Sequence, residues 1–239
     1  MSETAGTRRP LWMDLTILGV AGVVFVTLVA LGTWQVRRLH WKQDLIAAVD
    51  ARAFAPAVAA PAGPVTANDD AYLRVFAQGR FRHDASHLVK AVTELGPGYW
   101  LMTPLDTDGP TIWINRGFVP TGQPASARTT PDMPVRVEGL LRITEPDGTL
   151  LESNDPLADR WVSRDVAALS AVAAIDNAAP YFIDADHMGA PADWPRGGMT
   201  IIHFRNAHLS YALTWYAMAL LFLGAMVYVI RDRLRDRAR

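Results

Sequence analysis

The stretch Leu15–Val36, LTILGVAGVVFVTLVALGTWQV, and its distant counterpart Asn206–Ile230, NAHLSYALTWYAMALLFLGAMVYVI, decide the fold. Neither run contains Asp, Glu, Lys or Arg. Asp14 and Arg37 bound the first; Arg205 and Arg231 bound the second. A bilayer core is about 30 Å thick and a helix rises about 1.5 Å per residue, so about 20 apolar residues span it. Both runs are predicted to be transmembrane helices, paired as a hairpin. Residues 37–205 between them are ample for one domain with its own core. The second run opens with His208, an ionisable residue in the first helical turn at one membrane face. Placing it there costs free energy unless it has a partner or a job.

Charge orients the hairpin. The 239-residue chain has a formal net charge of −1, which leaves no broad basic field for nucleic acid. The C-terminal tail carries Arg231, Arg233, Arg235, Arg237 and Arg239 against Asp232 and Asp236. Arg8 and Arg9 precede the first span. Under the positive-inside rule, tails 1–14 and 231–239 face the cytoplasm and residues 37–205 face the periplasm. Arg37, Arg38 and Lys42 pull the other way and are outnumbered. Ala51-Arg52-Ala53 resembles a cleavage site, but it lies well past an apolar run that is itself longer than a signal-peptide core. The first span is therefore expected to stay as an anchor. The leader is short for a transit peptide, which points to a bacterial inner membrane. The chain has no cysteine, so thiol chemistry, a CxxC metal relay and Fe–S ligation are excluded.

The middle region reads as β-rich. Residues 38–53 continue the first helix, and the Ala/Pro-rich 55–67 is a linker. Short strands are predicted at Tyr72–Phe81, His87–Val92, Tyr99–Leu105, Thr111–Asn115, Val135–Ile143, Trp161–Ser163, Tyr181–Asp184 and Thr200–Phe204. Gly96-Pro97-Gly98, Asp108-Gly109-Pro110 and Asp147-Gly148 are the expected turns. In the first strand Val75, Ala77, Gly79 and Phe81 share one parity. Asp165–Ile175 is the one clear helix, capped by Ser163. The fold class is thus a membrane protein of α+β type: a two-helix hairpin carrying an antiparallel sheet or partial barrel.

The outer ends of the two spans hold the residues with chemistry. His208, Tyr211 and Trp215 stand at i, i+3 and i+7 on one face of the second helix. Trp34, Arg38 and Trp41 have the same spacing on the first, beside Gln35. Arg37, Arg38, Lys42 and Arg205 ring the boundary. A flat, anionic, metal-bearing macrocycle needs such a set: a neutral imidazole for iron, aromatic faces for the ring, arginines for propionates. Trp, Tyr, Arg and Lys at membrane ends are also ordinary interface anchors. His208 alone reads equally as an anchor, a partner of Gln35 or an iron ligand.

Leu31-Gly32-Thr33-Trp34-Gln35-Val36-Arg37-Arg38-Leu39-His40-Trp41-Lys42 resembles the signature closing the first span in the surfeit-locus family of cytochrome c oxidase assembly factors. Asn206-Ala207-His208-Leu209-Ser210-Tyr211-Ala212-Leu213-Thr214-Trp215 resembles that family's second signature, with Ala207 where an Asn is usual. Gly79-Arg80-Phe81, Leu101-Met102-Thr103-Pro104-Leu105, Asn115-Arg116-Gly117-Phe118-Val119-Pro120, Gly139-Leu140-Leu141-Arg142 and Asn154-Asp155-Pro156 follow in the family's order. Each block is short; the ordered set spans nearly the whole chain. The resemblance implies a non-enzymatic assembly factor that binds haem a and helps insert it into oxidase subunit I. Haem a synthase and the bilayer are its further implied partners. His208 is the implied iron ligand. A structural scaffold that binds no haem is the alternative.

Other residues read as structural. His83 and His87 lie four apart in a strand–turn–strand segment, where that spacing does not converge on a metal. His187 sits in an acidic loop; His40 and His203 lie near the basic ring as possible supports. Gly-x-Ser-x-Gly, HExxH and P-loop motifs are absent. Asn115-Arg116-Gly117 reads as a strand end and turn, with Arg116 pairing a buried carboxylate or meeting a partner. Asn154-Asp155-Pro156 reads as a turn. Gly79 and Gly139 within strands imply bulges or close backbone approach. Ala212, Ala219, Gly224 and Ala225 are small enough for close helix packing, against a partner or against Gly19, Gly22 and Ala30 of the first span.

Overall fold

The structure, a computed structural model, describes all residues except 1–9, 123–132, 147, 149–151, 191, 203, 205 and 239, and omits the side chains of 11 and 236–238. It divides into a helical unit, Met1–Ile46 with His203–Arg239, and a β unit, Ala47–Ile202.

The helical unit holds most of α1 (Leu11–Ala53) and all of α3 (His208–Ala238). No proline or glycine interrupts 33–53, so the backbone ladder runs on and the expected continuation over 38–53 forms. Both helices are long and apolar enough to cross a membrane, and only 6% of the most apolar stretch of each is buried within the protein. Ala212, Tyr216 and Ala219 share one face of α3 by their spacing. Ala212 and Ala219 are buried. The Tyr216 hydroxyl lies 3.1 Å from Thr33 Oγ1, and a Cβ on Gly32 would meet the Tyr216 ring at 2.8 Å. Where the two helices meet, Gly32 leaves room for the Tyr216 ring, on the face of α3 that also carries the buried Ala212 and Ala219. Gly19, Gly22 and Gly224 face open space instead.

In the β unit, seven strands are β1 (Val58–Ala59), β2 (Arg74–Phe81), β3 (His87–Thr93), β4 (Gly96–Asp106), β5 (Thr111–Pro120), β6 (Val135–Ile143) and β7 (Ala178–Ala185). Their order is β1-β2-β6-β7-β5-β4-β3, and a further β2–β4 pairing at Arg80↔Asp106 and Phe81↔Leu105 closes β2, β6, β7, β5 and β4 into a five-stranded barrel. The long β4 makes this possible, because its first half pairs with β3 and its last residues with β2. The expected parity of β2 is met: Val75, Ala77 and Phe81 point into the barrel core. Gly79 and Gly139 mark close approach as expected, since a Cβ would meet the Asp106 and Asp184 carbonyl oxygens at 2.1 and 2.2 Å.

Several expectations need correction. The sheet is not wholly antiparallel, because β5 and β7 run parallel. Their connection passes through β6 and the short helix α2 (Val166–Val172), which packs on the sheet. Gly96-Pro97-Gly98 is not a turn but the start of β4, and Asn115-Arg116-Gly117 lies inside β5. Trp161 makes one isolated bridge with Val89 rather than heading a strand. Residues 200–202 and 204 carry no strand. The α2 cap is Asp165, whose side chain accepts from the Ala168 amide. Ser163 Oγ instead accepts from Asn154 Nδ2 and the Gly148 amide.

Two apolar layers result. The barrel interior holds Val75, Leu105, Ile112, Ile114, Leu141 and Ile183, with Tyr181 among them. On the outer face Trp113, Trp161, Met102 and Phe182 pack against Val166 and Leu169 of α2. Trp113 is fully buried and its indole N–H donates to Ser170 Oγ at 2.9 Å. An alternating strand sends its two faces to two different cores, which is why β5 is buried along nearly its whole length.

Candidate functional site

His208 is the first residue of α3. The Asn206 side chain accepts a hydrogen bond from the His208 amide at 3.4 Å, closing the helix start. From that first turn the imidazole reaches α1, and Nδ1 donates to Gln35 Oε1 at 2.7 Å. A carbonyl oxygen at Nδ1 calls for a proton on Nδ1, so in the neutral ring the lone pair is on Nε2. Among the described residues Nε2 has no hydrogen-bond partner, and a neutral imidazole nitrogen of this kind can act as a metal ligand. The ring is half-buried.

The remaining predicted residues are placed less tightly. The Arg38 guanidinium lies over the Trp41 ring at 3.8 Å, which tethers a cation at the boundary. Trp34 is 55% exposed, Trp41 51% and Tyr211 57%, while Trp215 is half-buried. Among the described residues, no side-chain hydrogen bond or ring contact joins Trp34, Tyr211 or Trp215 to His208. The set brought together is His208 with Gln35, and Arg38 with Trp41. Arg205 and His203 lie outside the described residues. His40 is exposed.

His87 and His187 are held in contacts within the β unit. His87 Nδ1 lies 2.6 Å from Asp159 Oδ1, and its ring packs near Trp113 and Trp161. His187 Nε2 donates to the Ala190 carbonyl at 2.7 Å and its Nδ1 accepts from the Gly197 amide. Among the described residues no cluster of three His, Asp or Glu could hold a metal ion.

The β unit carries a polar site that sequence reading missed. Asp184, at the end of β7, is 7% exposed. Its Oδ1 accepts from Asn115 Nδ2 at 2.8 Å and Arg164 Nη1 at 3.1 Å; its Oδ2 accepts from Arg142 Nη1 at 3.1 Å and Thr200 Oγ1 at 2.8 Å. Arg164 also donates from Nε to Glu145 at 3.0 Å. Burial alone would lower the Arg164 pKa; the charge of Asp184 and the bond that Arg164 donates to Glu145 outweigh it and hold the guanidinium above its ordinary value. The signal in the sequence was an acid, Asp184, ending the apolar run Tyr181-Phe182-Ile183.

Arg116 lies in the same strand as Asn115 but on the opposite parity. It is 2% exposed. Its guanidinium sits over the Phe81 ring at 4.8 Å, and Nη1 is 3.4 Å from His83 Nδ1. Burial pushes its pKa down to about 10. Asn154 is more than a turn residue: its Oδ1 accepts from the Val162 and Ser163 amides, and Asp155 caps the short 3₁₀ turn Pro156–Ala158.

The family model described as SURF1 family matches residues 22–220, which takes in most of α1, the barrel and the start of α3. The human protein named Surfeit locus protein 1 is 34% identical over 81% of this chain and 71% of its own length. A SURF1-like protein of Monosiga brevicollis is 33% identical over 96% of this chain and 92% of its own. The chicken Surfeit locus protein 1 is 30% identical over 91% and 75%. With a match across nearly its whole length and relatives above 30% identity, the chain belongs to the SURF1 family.

Proposed function

We propose that this protein is a membrane-anchored assembly factor for a haem-copper terminal oxidase, and that it carries haem a to oxidase subunit I. His208 is the iron ligand. The observation that carries the reading is the 2.7 Å bond from His208 Nδ1 to Gln35, which leaves Nε2 available. A hydrogen bond to the far nitrogen is how proteins orient a ligating imidazole and raise its basicity. In this reading Trp34, Tyr211 and Trp41, which are exposed, and Trp215, which is half-buried, offer aromatic faces to the ring, and Arg38 and Arg205 offer cations for propionates. Haem a is cargo here, not a resident cofactor. One histidine ligand at an exposed helix end favours release to an acceptor over retention. Haem a synthase is the donor in this reading. The spans sit in a bacterial inner membrane with both termini cytoplasmic and the barrel periplasmic, as the tail arginines favour.

A scaffold that binds no haem has one observation in its favour. The His208–Gln35 bond also ties α3 to α1, as the Thr33–Tyr216 pair does. Pyridine haemochrome analysis separates the readings, using protein purified in mild detergent after co-expression with haem a synthesis enzymes. The carrier reading expects haem a in the wild type and in Thr33→Val, and at least a tenfold loss in His208→Ala with the protein still in the membrane. Haem content that is absent throughout, or indifferent to His208→Ala, supports the scaffold.

A further inference from the structure

The Asp184 network borders a cavity of about 240 Å³ that lies wholly within the β unit. At roughly 30 Å³ per water molecule this is about eight waters' worth of space, enough for a small organic ligand. Arg142, Arg164 and Asp184 form its polar wall; Tyr72, Trp100 and Met199 form much of the rest. Ile201 stands at its edge, 75% exposed. The cavity is remote in sequence from the His208 signatures, and the haem reading makes no use of it.

The hydrogen-bond inventory of this wall specifies what can enter. Asp184 has two donors on each carboxylate oxygen, so it has no capacity left for a ligand. Arg142 is different. It donates from Nη1 to Asp184; its Nη2 lies 3.9 Å from Glu145, beyond hydrogen-bond reach. Among the described residues nothing accepts from its Nε. Its side chain is 20% exposed, and the Tyr72 ring lies 4.8 Å from the guanidinium carbon. Tyr72 itself holds φ +64°, a left-handed conformation that costs free energy in a residue with a side chain. The two arginines balance Asp184 and Glu145, so the wall keeps its shape without a ligand while spare donors remain on Arg142. A wall whose guanidinium still has donors to give, beside a carboxylate already fully bonded, favours an acceptor. The planar guanidinium edge matches a carboxylate best, because two parallel N–H···O bonds can form.

We infer that this cavity binds a small ligand through its carboxylate, with the Nε and Nη2 edge of Arg142 as the anchor and Trp100, Tyr72 and Met199 against an apolar body. The carboxylate could belong to a free organic acid or to a peptide C-terminus; the chemistry of the site is the same for both.

The test is calorimetry on the full chain in dodecyl maltoside. The probes are acetate, butyrate and 4-phenylbutyrate, the uncharged 4-phenylbutanamide, and an N-acetylated tripeptide ending in phenylalanine with a free or amidated C-terminus. Saturable binding of 4-phenylbutyrate or of the free-acid peptide is expected, at least tenfold tighter than its amide. Whichever acid binds more tightly identifies the source. Arg142→Lys keeps a cation beside Asp184 but removes the two-donor edge, and it should weaken binding at least tenfold. Ile201→Trp narrows the cavity from an exposed position; it should weaken binding with the melting temperature unchanged. Absence of saturable binding by any acid, equal affinity for acid and amide, or unchanged affinity in both variants would overturn the inference.

Discussion

The two units of this chain solve the problem of apolar surface in opposite ways. The β unit turns its apolar residues inward, and Val75, Leu101, Trp113, Phe118 and Ile183 are fully buried. The helical unit turns them outward: Val20, Val23, Leu213, Leu220 and Leu221 are all at least 60% exposed. Only narrow faces are covered, where Ala212 and Ala219 are buried and Gly32 leaves room for the Tyr216 ring. The barrel therefore carries its own hydrophobic driving force, whereas the helices need lipid or detergent to cover their surface. The polar residues differ in the same way. In the barrel they are buried and locked, as around Asp184. On the helices they stand half-open at one end, as His208 does. A locked network holds shape, and a half-open one is available for exchange.

The largest effect should come from removing the helices' solvent. In detergent-free buffer the full chain should aggregate, while residues 47–202, the unit with its own core, should remain soluble and melt in one transition. Light scattering and circular dichroism check this. A fragment that precipitates would break the contrast between the units.

Within the barrel, Trp113→Ala removes a fully buried indole and its bond to Ser170. Truncating a buried tryptophan costs about 3–5 kcal/mol. Asp184→Ala leaves Arg142 and Arg164 beside an empty position, and removing one partner of a buried ion cluster costs about 3 kcal/mol. Urea unfolding of the variants measures both, and the haem content of whatever protein remains folded should be unchanged. On the helices the signs reverse. Gly32→Leu places side-chain atoms in the Tyr216 ring, so haem content should fall severalfold with barrel unfolding unmoved.

The smallest effect is one of pH. Tyr181 is buried in the barrel and its hydroxyl donates to the Pro61 carbonyl at 2.7 Å. Burial pushes this phenol well above its ordinary value of 10.0. The folded state therefore keeps a proton that the unfolded state gives up above that value. The associated stability is intact below pH 10 and declines as pH rises further. Tyr181→Phe should flatten this alkaline slope and leave the tyrosinate absorbance step of the folded protein unchanged.

What was legible in the sequence follows the same division. The two long apolar helices and the continuing helix were open to reading, because runs without charge and helical spacing are local signals; the bond between Gln35 and His208, 173 residues apart, was one of three readings open for that histidine. The parity of β2 and the close approach at Gly79 and Gly139 were local too. The parallel β5–β7 pairing was not, because it depends on residues distant in sequence. Gly96-Pro97-Gly98 read as a turn since proline and glycine usually end strands; at the start of β4 the missing amide is tolerated. Asn115-Arg116-Gly117 read as a strand end because polar residues seldom continue a buried strand. Here Asn115 is satisfied by Asp184, while Arg116 enters the end of the barrel beside Phe81 and His83. The polar cavity stayed hidden because its wall comes from β5, β6, β7 and the segments holding Arg164 and Thr200.

In the proposed function, Gln35 holds His208 with its proton on Nδ1 and Nε2 binds iron. Long-range ¹H–¹⁵N correlation spectra of the detergent-solubilised protein test it directly, with His208→Gln identifying the signal. An Nδ1–H tautomer without haem, loss of that preference in Gln35→Leu, and broadening or displacement of the Nε2 resonance on adding ferric haem are expected. A proton on Nε2, or an Nε2 resonance indifferent to haem, would contradict it.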